Sequence, residues 1–267
     1  MNTADQQPEL TIASVNWIAF KTLVVKEIRR FMRIWVQTIV PPAVSAVLYM
    51  MIFGKLIGSR IGVMDGHSYI DFVVPGIIMM AVITNSYSNA VSSFFSAKFQ
   101  QHIEEILIAP VHNWVILLGF VVGGVCRGLA VGALVAAVSL LFTDISVENP
   151  LVTLLVVVLT STLFAIGGVI NSVYAQSFDD ISIIPNFVLT PLTYLGGIFY
   201  SVKLLPDFWY NVSLINPVLY MVNGFRYGIL GSSDFPIWWS FLVILIFILL
   251  LSAIALHLMN KGVGIKS

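Results

Sequence analysis

Arg127 is the residue whose type and position most demand a chemical account. It stands near the middle of an apolar run from about Trp114 to Phe142. A guanidinium at that depth is costly and faces a bundle interior or an aqueous cavity rather than lipid. The apolar runs of the chain hold no Asp or Glu to neutralise it. Its candidate partners are backbone carbonyls, the amides of Asn85, Asn89 or Asn171, or an anionic substrate. Asn85, Asn89, Ser92, Ser93 and Ser96 recur at helical spacing on the preceding apolar run. That stripe fits a substrate path and a helix-to-helix contact equally well. Asn85, Asn89 and Arg127 are therefore candidate pathway residues. The missing acids also remove the carboxylate relays from which proton-driven and sodium-driven machines are built.

A second constellation lies between two apolar runs. Over residues 95–110, Phe95, Phe99, Ile103, Ile106 and Leu107 mark one helical face, while Lys98, Gln101, Glu104 and Glu105 lie away from it. Pro110 ends the helix. Such a segment either docks a soluble partner or lies flat on the bilayer. Adjacent glutamates are unfavourable beside anionic lipid, which favours docking. Phe178-Asp179-Asp180 reads as a smaller second knob.

Catalytic chemistry is not legible. His67, His102, His112 and His257 fall on different segments, and no HExxH, GxSxG or paired-carboxylate motif occurs. Cys126 lies within an apolar run, so no disulfide framework or cysteine metal site is expected. In Gly262-Val-Gly264-Ile-Lys266 an isoleucine stands where a phosphate loop needs glycine. The chain is thus expected to be no ATPase and to hold no cofactor or metal. Nothing in it points to nucleic acid.

The elements that must position these residues follow from hydropathy. The chain has 267 residues, 58% hydrophobic and 10% charged, against about 25% charged in soluble domains. At about 20 apolar residues per crossing, this describes a single all-α membrane domain of six spans. They run at about 34–56, 72–94, 114–142, 150–173, 183–200 and 237–259. Pro41-Pro42 should kink the first or delay its start, and Pro185 and Pro191 break the fifth. Gly124, Gly128, Gly132 and Ala136 recur every four residues on the third, a spacing that lets helix backbones touch, within the subunit or against a second copy. Residues 1–10 are polar and loose, with no cleavable signal peptide expected. Residues 11–33 alternate Val15, Ile18, Ala19, Thr22, Val25, Ile28 and Met32 with Lys21, Lys26, Arg29, Arg30 and Arg33. That pattern reads as an amphipathic helix in the membrane interface, with an ordinary cytoplasmic helix as the alternative. Residues 201–236 are apolar but interrupted by Pro206, Asn216, Pro217, Arg226 and several glycines. Such backbone must be buried in protein or line water, so it reads as a re-entrant outer helix pair, with a seventh span as the alternative. Six spans with both termini inside place eight Lys and Arg on inner segments, Lys266 among them, and four outside.

This order, with Glu104-Glu105-Ile106-Leu107-Ile108-Ala109-Pro110-Val111, the stretch Leu189 to Ser201, and Leu214-Ile-Asn-Pro217 through Arg226, resembles the membrane subunit of ABC-2 type transporters. The resemblance covers nearly the whole chain. It implies a half-transporter in a bacterial inner membrane, paired with a second copy and with two separate ATPase subunits that bind the ATP. It places ATPase coupling on about Lys98 to Ala109, with the N-terminal helix completing the surface, and an exit gate on the outer segment around Pro217 and Arg226. It implies export of a polysaccharide, a lipid-linked polymer or a hydrophobic compound. A secondary transporter or channel would instead need intramembrane acids or an inverted repeat. A membrane-embedded lipid enzyme would need acids or histidines gathered at one interface.

Overall fold

A computed structural model describes residues 11–264, without the side chain of Leu107. The polar N-terminus, Lys266 and the end of the glycine-containing tail lie outside the described residues. The described chain is mostly helical. Five helices are long and apolar enough to cross a membrane: α2 (Trp35–Ile61), α3 (Tyr69–Phe99), α5 (Asn113–Ser139), α6 (Pro150–Tyr174) and α10 (Ile237–Lys261). Each coincides with an expected span. The sixth, expected at 183–200, is shorter. It is α7, residues 180–194, in which a π-helical turn, Pro185–Leu189, separates two short α-helical stretches. Proline has no N–H and its ring crowds the carbonyl four residues back, and here Thr190 Oγ donates to the Pro185 carbonyl at 2.9 Å. One small departure from an all-α chain is a two-stranded ladder, β1 (Val63–Met64) with β2 (His67–Ser68).

The connections gather at two opposite ends. At one end Asn16 bonds to His112, and Asn113 to Asn260. At the other, Tyr69 Oη donates to the Phe199 carbonyl at 2.8 Å, and the backbone N–H groups of Glu148 and Asn149 reach the carbonyls of Ile229 and Gly228. Both described ends of the chain therefore lie together, at the end carrying α4 (His102–Ile108). Asn171 Nδ2 meets the Ile181 carbonyl at 3.4 Å near that same end. Ile181 therefore lies near the α4 end and Phe199 near the other.

The stretch 201–236 folds into α8 (Asp207–Ile215) and α9 (Pro217–Leu230). Asn216 caps α9 by accepting from the Val218 N–H at 2.9 Å, and Pro217 takes the first helical position, where its missing N–H costs nothing. The core is built on α3, which packs against both α5 and α6. Small residues set that spacing. A Cβ at Gly124 would lie 2.7 Å from that of Ala165, and one at Gly128 would run into Ser86 Oγ. Gly124, Gly128 and Gly132 of the stripe on α5 thus pack inside the subunit, against α3 and α6.

α1 (Ile12–Arg33) keeps Ile18, Val25 and Met32 of its apolar stripe exposed, with Trp17, as a face turned to the membrane interface would be. The buried positions are Leu23, Glu27 and Phe31, one turn apart. Asn16 contacts His112, 96 residues on, and Leu23 against Gly119 and Glu27 against Gly123 keep the same separation. Helices α1 and α5 therefore run parallel, side by side. The break before α2 falls at Ile34 and not at Pro41-Pro42, which sit inside the helix. Thr38 Oγ covers the carbonyls of Ile34 and Trp35 at 3.2 and 3.1 Å there.

Candidate functional site

The docking segment is shorter than its apolar periodicity suggested. The span helix α3 runs on to Phe99, and the chain then turns at Gln101, whose φ of 61° is left-handed. α4 follows as a separate helix, so residues 95–110 form two helices meeting at a corner. Phe95, Lys98 and Phe99 belong to the end of α3. Lys98 does not face out. Its Nζ donates to the carbonyls of Val173 and Ala175, both at 2.7 Å, at the end of α6. A cation there satisfies carbonyls that the helix leaves unpaired.

The corner brings the two expected knobs together. Phe178 packs edge-on against Phe95 and Phe99, with centroids 4.9 and 5.2 Å away. Phe99, Phe178 and Ile108 remain 61%, 53% and 84% exposed. Ile103 is buried and holds α4 to the bundle; Ile106 and Glu104 are half-buried, and Glu105 and Asp179 are exposed. Asp180 closes its own turn, accepting from the N–H groups of Gln176 and Ser177 at 2.8 and 3.0 Å, which holds its carboxyl below the usual range. The result is an aromatic and aliphatic knob with an acidic rim at one end of the bundle.

Deeper in, the structure assembles a polar joint that the sequence reading divided between solvent and membrane. Glu27 of α1 is fully buried. Its Oε1 accepts from Ser93 Oγ at 2.6 Å, and Arg30 Nε approaches its Oε2 at 3.4 Å. Arg30 also reaches across to α3, donating to the backbone carbonyl and Oδ1 of Asn89 at 3.0 and 2.8 Å. Arg127 donates to Asn85 Oδ1 at 3.2 Å. Its Nε and the Asn89 amide nitrogen are buried without a partner. The polar stripe of α3 is therefore used first as a helix contact: Asn89 and Ser93 hold α1, and Asn85 holds Arg127. Asn171 lies outside this joint. The overlooked signal was Glu27 itself, placed one turn from both Leu23 and Phe31.

At the opposite end Arg226 is buried too, but more completely partnered. It donates to the Gly197 carbonyl at 2.7 Å and lies 3.8 Å from the Phe72 ring centroid. Asp234 stands 3.9 Å away and also pairs with Lys203 at 2.9 Å. Arg226 thus pins α9 to the turn after α7.

Five helices long and apolar enough to cross a membrane mark an integral membrane protein. The family model described as ABC-2 type transporter matches residues 18–230. The inner membrane transport permease YadH of Escherichia coli (strain K12) is 55% identical over 251 residues, covering 94% of this chain and 98% of that protein. Nodulation protein J of Rhizobium meliloti (strain 1021) is 25% identical over 218 residues, 81% of this chain and 82% of that one. The chain belongs to the ABC-2 type transporter family, as a membrane subunit.

Proposed function

We propose that this chain is the permease half of an exporter powered by ATP that a separate subunit hydrolyses. Two copies form the pathway in a bacterial inner membrane, with two ATPase subunits docked beneath. The observation that carries the reading is the exposed knob of Phe99, Phe178 and Ile108 with Glu105 and Asp179 at its rim. An apolar tip of this kind fits a socket on a soluble protein, and its acids call for a basic socket edge. The chain has no phosphate loop of its own, so energy must come from a docked partner. The knob end is the cytoplasmic end, which makes both termini cytoplasmic.

Six crossings follow if residues 181–199 count as one, because they pass from the knob end to the end where Phe199 lies. The helices α8 and α9 are then the re-entrant pair: α9 brings Gly224 beside Val156 within the bundle and ends against Glu148 and Asn149. With Pro217 and Arg226 they gate the exit. Trp17 and Ile18 on the exposed face of α1 meet the membrane interface. Arg127, with Asn85 and Asn89, is the group an anionic part of a substrate would meet. The substrate class is a polysaccharide, a lipid-linked polymer or a hydrophobic compound.

The test is purification from its native membrane. The chain alone should release no phosphate from ATP, and in mild detergent it should bring down an ATPase. Flux in liposomes driven by an ion gradient, with neither ATP nor partner, would favour the secondary-transporter reading.

A further inference from the structure

Glu27 is an anomaly that the family assignment does not explain. A buried carboxylate costs several kcal/mol unless it is paired and hydrogen-bonded, and α1 could have placed an apolar residue at this position. The surroundings are shaped to take it. Gly123 leaves room where a Cβ would stand 2.6 Å from the Glu27 Cβ. Ser93 supplies a hydroxyl at 2.6 Å and Arg30 a charge at 3.4 Å. Arg30, anchored on Glu27, bridges to Asn89 through two further bonds. The other end of α1 is tied to the docking side. Asn16 accepts from the His112 backbone N–H at 3.1 Å and bonds its ring at 2.9 Å, four residues beyond the end of α4. α1 thus spans the distance between the knob and the polar stripe of α3, with a hydrogen-bonded tie at each end.

We propose that Glu27 is a positioning residue for coupling: through Ser93 and the Arg30–Asn89 bridge, it makes displacement of the knob move the mid-membrane part of α3. An apolar contact between packed helices permits sliding, whereas a charged, directional joint does not. The inference rests on the reading that an ATPase docks at the knob.

The test uses the full chain co-purified with its ATPase in nanodiscs, with spin labels at the exposed outer positions Val63 and Leu204. Two quantities are read: phosphate release, and the change in inter-label distance on adding ATP and vanadate. Glu27→Gln keeps the shape and removes the charge. It is expected to leave ATPase assembly and phosphate release within about twofold while the distance change falls at least fivefold. Ser93→Ala, which removes one bond, is expected to give a partial loss, and Glu27→Asp a partial rescue. If Glu27→Gln fails to fold, Ser93→Ala decides in its place. A full distance change in the folded variants would overturn the proposal. So would a parallel fall of assembly, phosphate release and movement, which is what a purely structural acid would produce. If the unsubstituted chain brings down no ATPase at all, the docking reading fails first, and that outcome is distinct.

Discussion

Two arginines sit inside this bundle, and their surroundings differ in kind. Arg226 has a carbonyl, an aromatic face and a carboxylate around it. Arg127 has one amide oxygen, and the Nε of each arginine is buried without a partner. A cation held on several sides fixes the elements it touches, and its removal leaves buried groups unpaired. A cation held on one side can change partners at little cost. The first arrangement belongs to architecture, here the seating of α9 against α7. The second is the arrangement that the proposed substrate contact at Arg127 would need. Asp234 ties two cations at one end of the bundle, and Glu27 with Arg30 holds α1 against α3.

Four experiments would break or sharpen this contrast. The largest effect is expected for Arg226→Ala, which strands the Gly197 carbonyl and leaves Asp234 to Lys203 alone; losing one member of a buried pair costs about 3–5 kcal/mol. Thermal melting in detergent should fall steeply, and a near-normal melt would erase the architectural reading. Gly128→Val comes next. The added carbons meet Ser86 and Ser161, and overpacking of this kind costs about 1–3 kcal/mol, read as a lower melting temperature. Arg127→Gln should move melting by less than about 1 kcal/mol, since a single hydrogen bond is worth about that. It should still depress transport of the native substrate at least tenfold, and equal losses in both would make Arg127 a second Arg226. The smallest effect belongs to Lys203→Ala. This lysine is 56% exposed, and exposed pairs contribute about 0–1 kcal/mol. Asp234 holds the Lys203 ammonium above its ordinary range. Any contribution is therefore present at neutral pH and disappears as pH rises through that raised value, which a melt at alkaline pH would show.

Much of the fold was legible because lipid imposes simple rules. Long apolar runs became α2, α3, α5, α6 and α10 within a few residues of expectation. α7 was harder, since its regular α-helix is broken at Pro185 into stretches too short for a span. The corner at Gln101 escaped detection because the apolar positions Phe95, Phe99 and Ile103 keep helical spacing across it. The contact of Phe178 with Phe99 is a tertiary fact between segments far apart in sequence, although each was singled out alone. Glu27 was missed for a different reason. An amphipathic pattern assigns every charge to water, and Glu27 of α1 lies instead on the face that packs against the bundle. The small residues Gly119 and Gly123, one turn apart on α5, were the trace of the helix that packs there.

The central claim is that the engine attaches at the knob, and replacing Phe178 by Asp tests it most directly. The side chain is half exposed and packs only on Phe95 and Phe99 among the ring contacts described, so the bundle should keep its melting temperature. Binding of the co-purified ATPase subunit to the nanodisc-embedded permease, titrated with and without the substitution, is the measurement. The account predicts at least a tenfold loss of affinity with the fold intact. Unchanged affinity in a folded Phe178→Asp protein would contradict it.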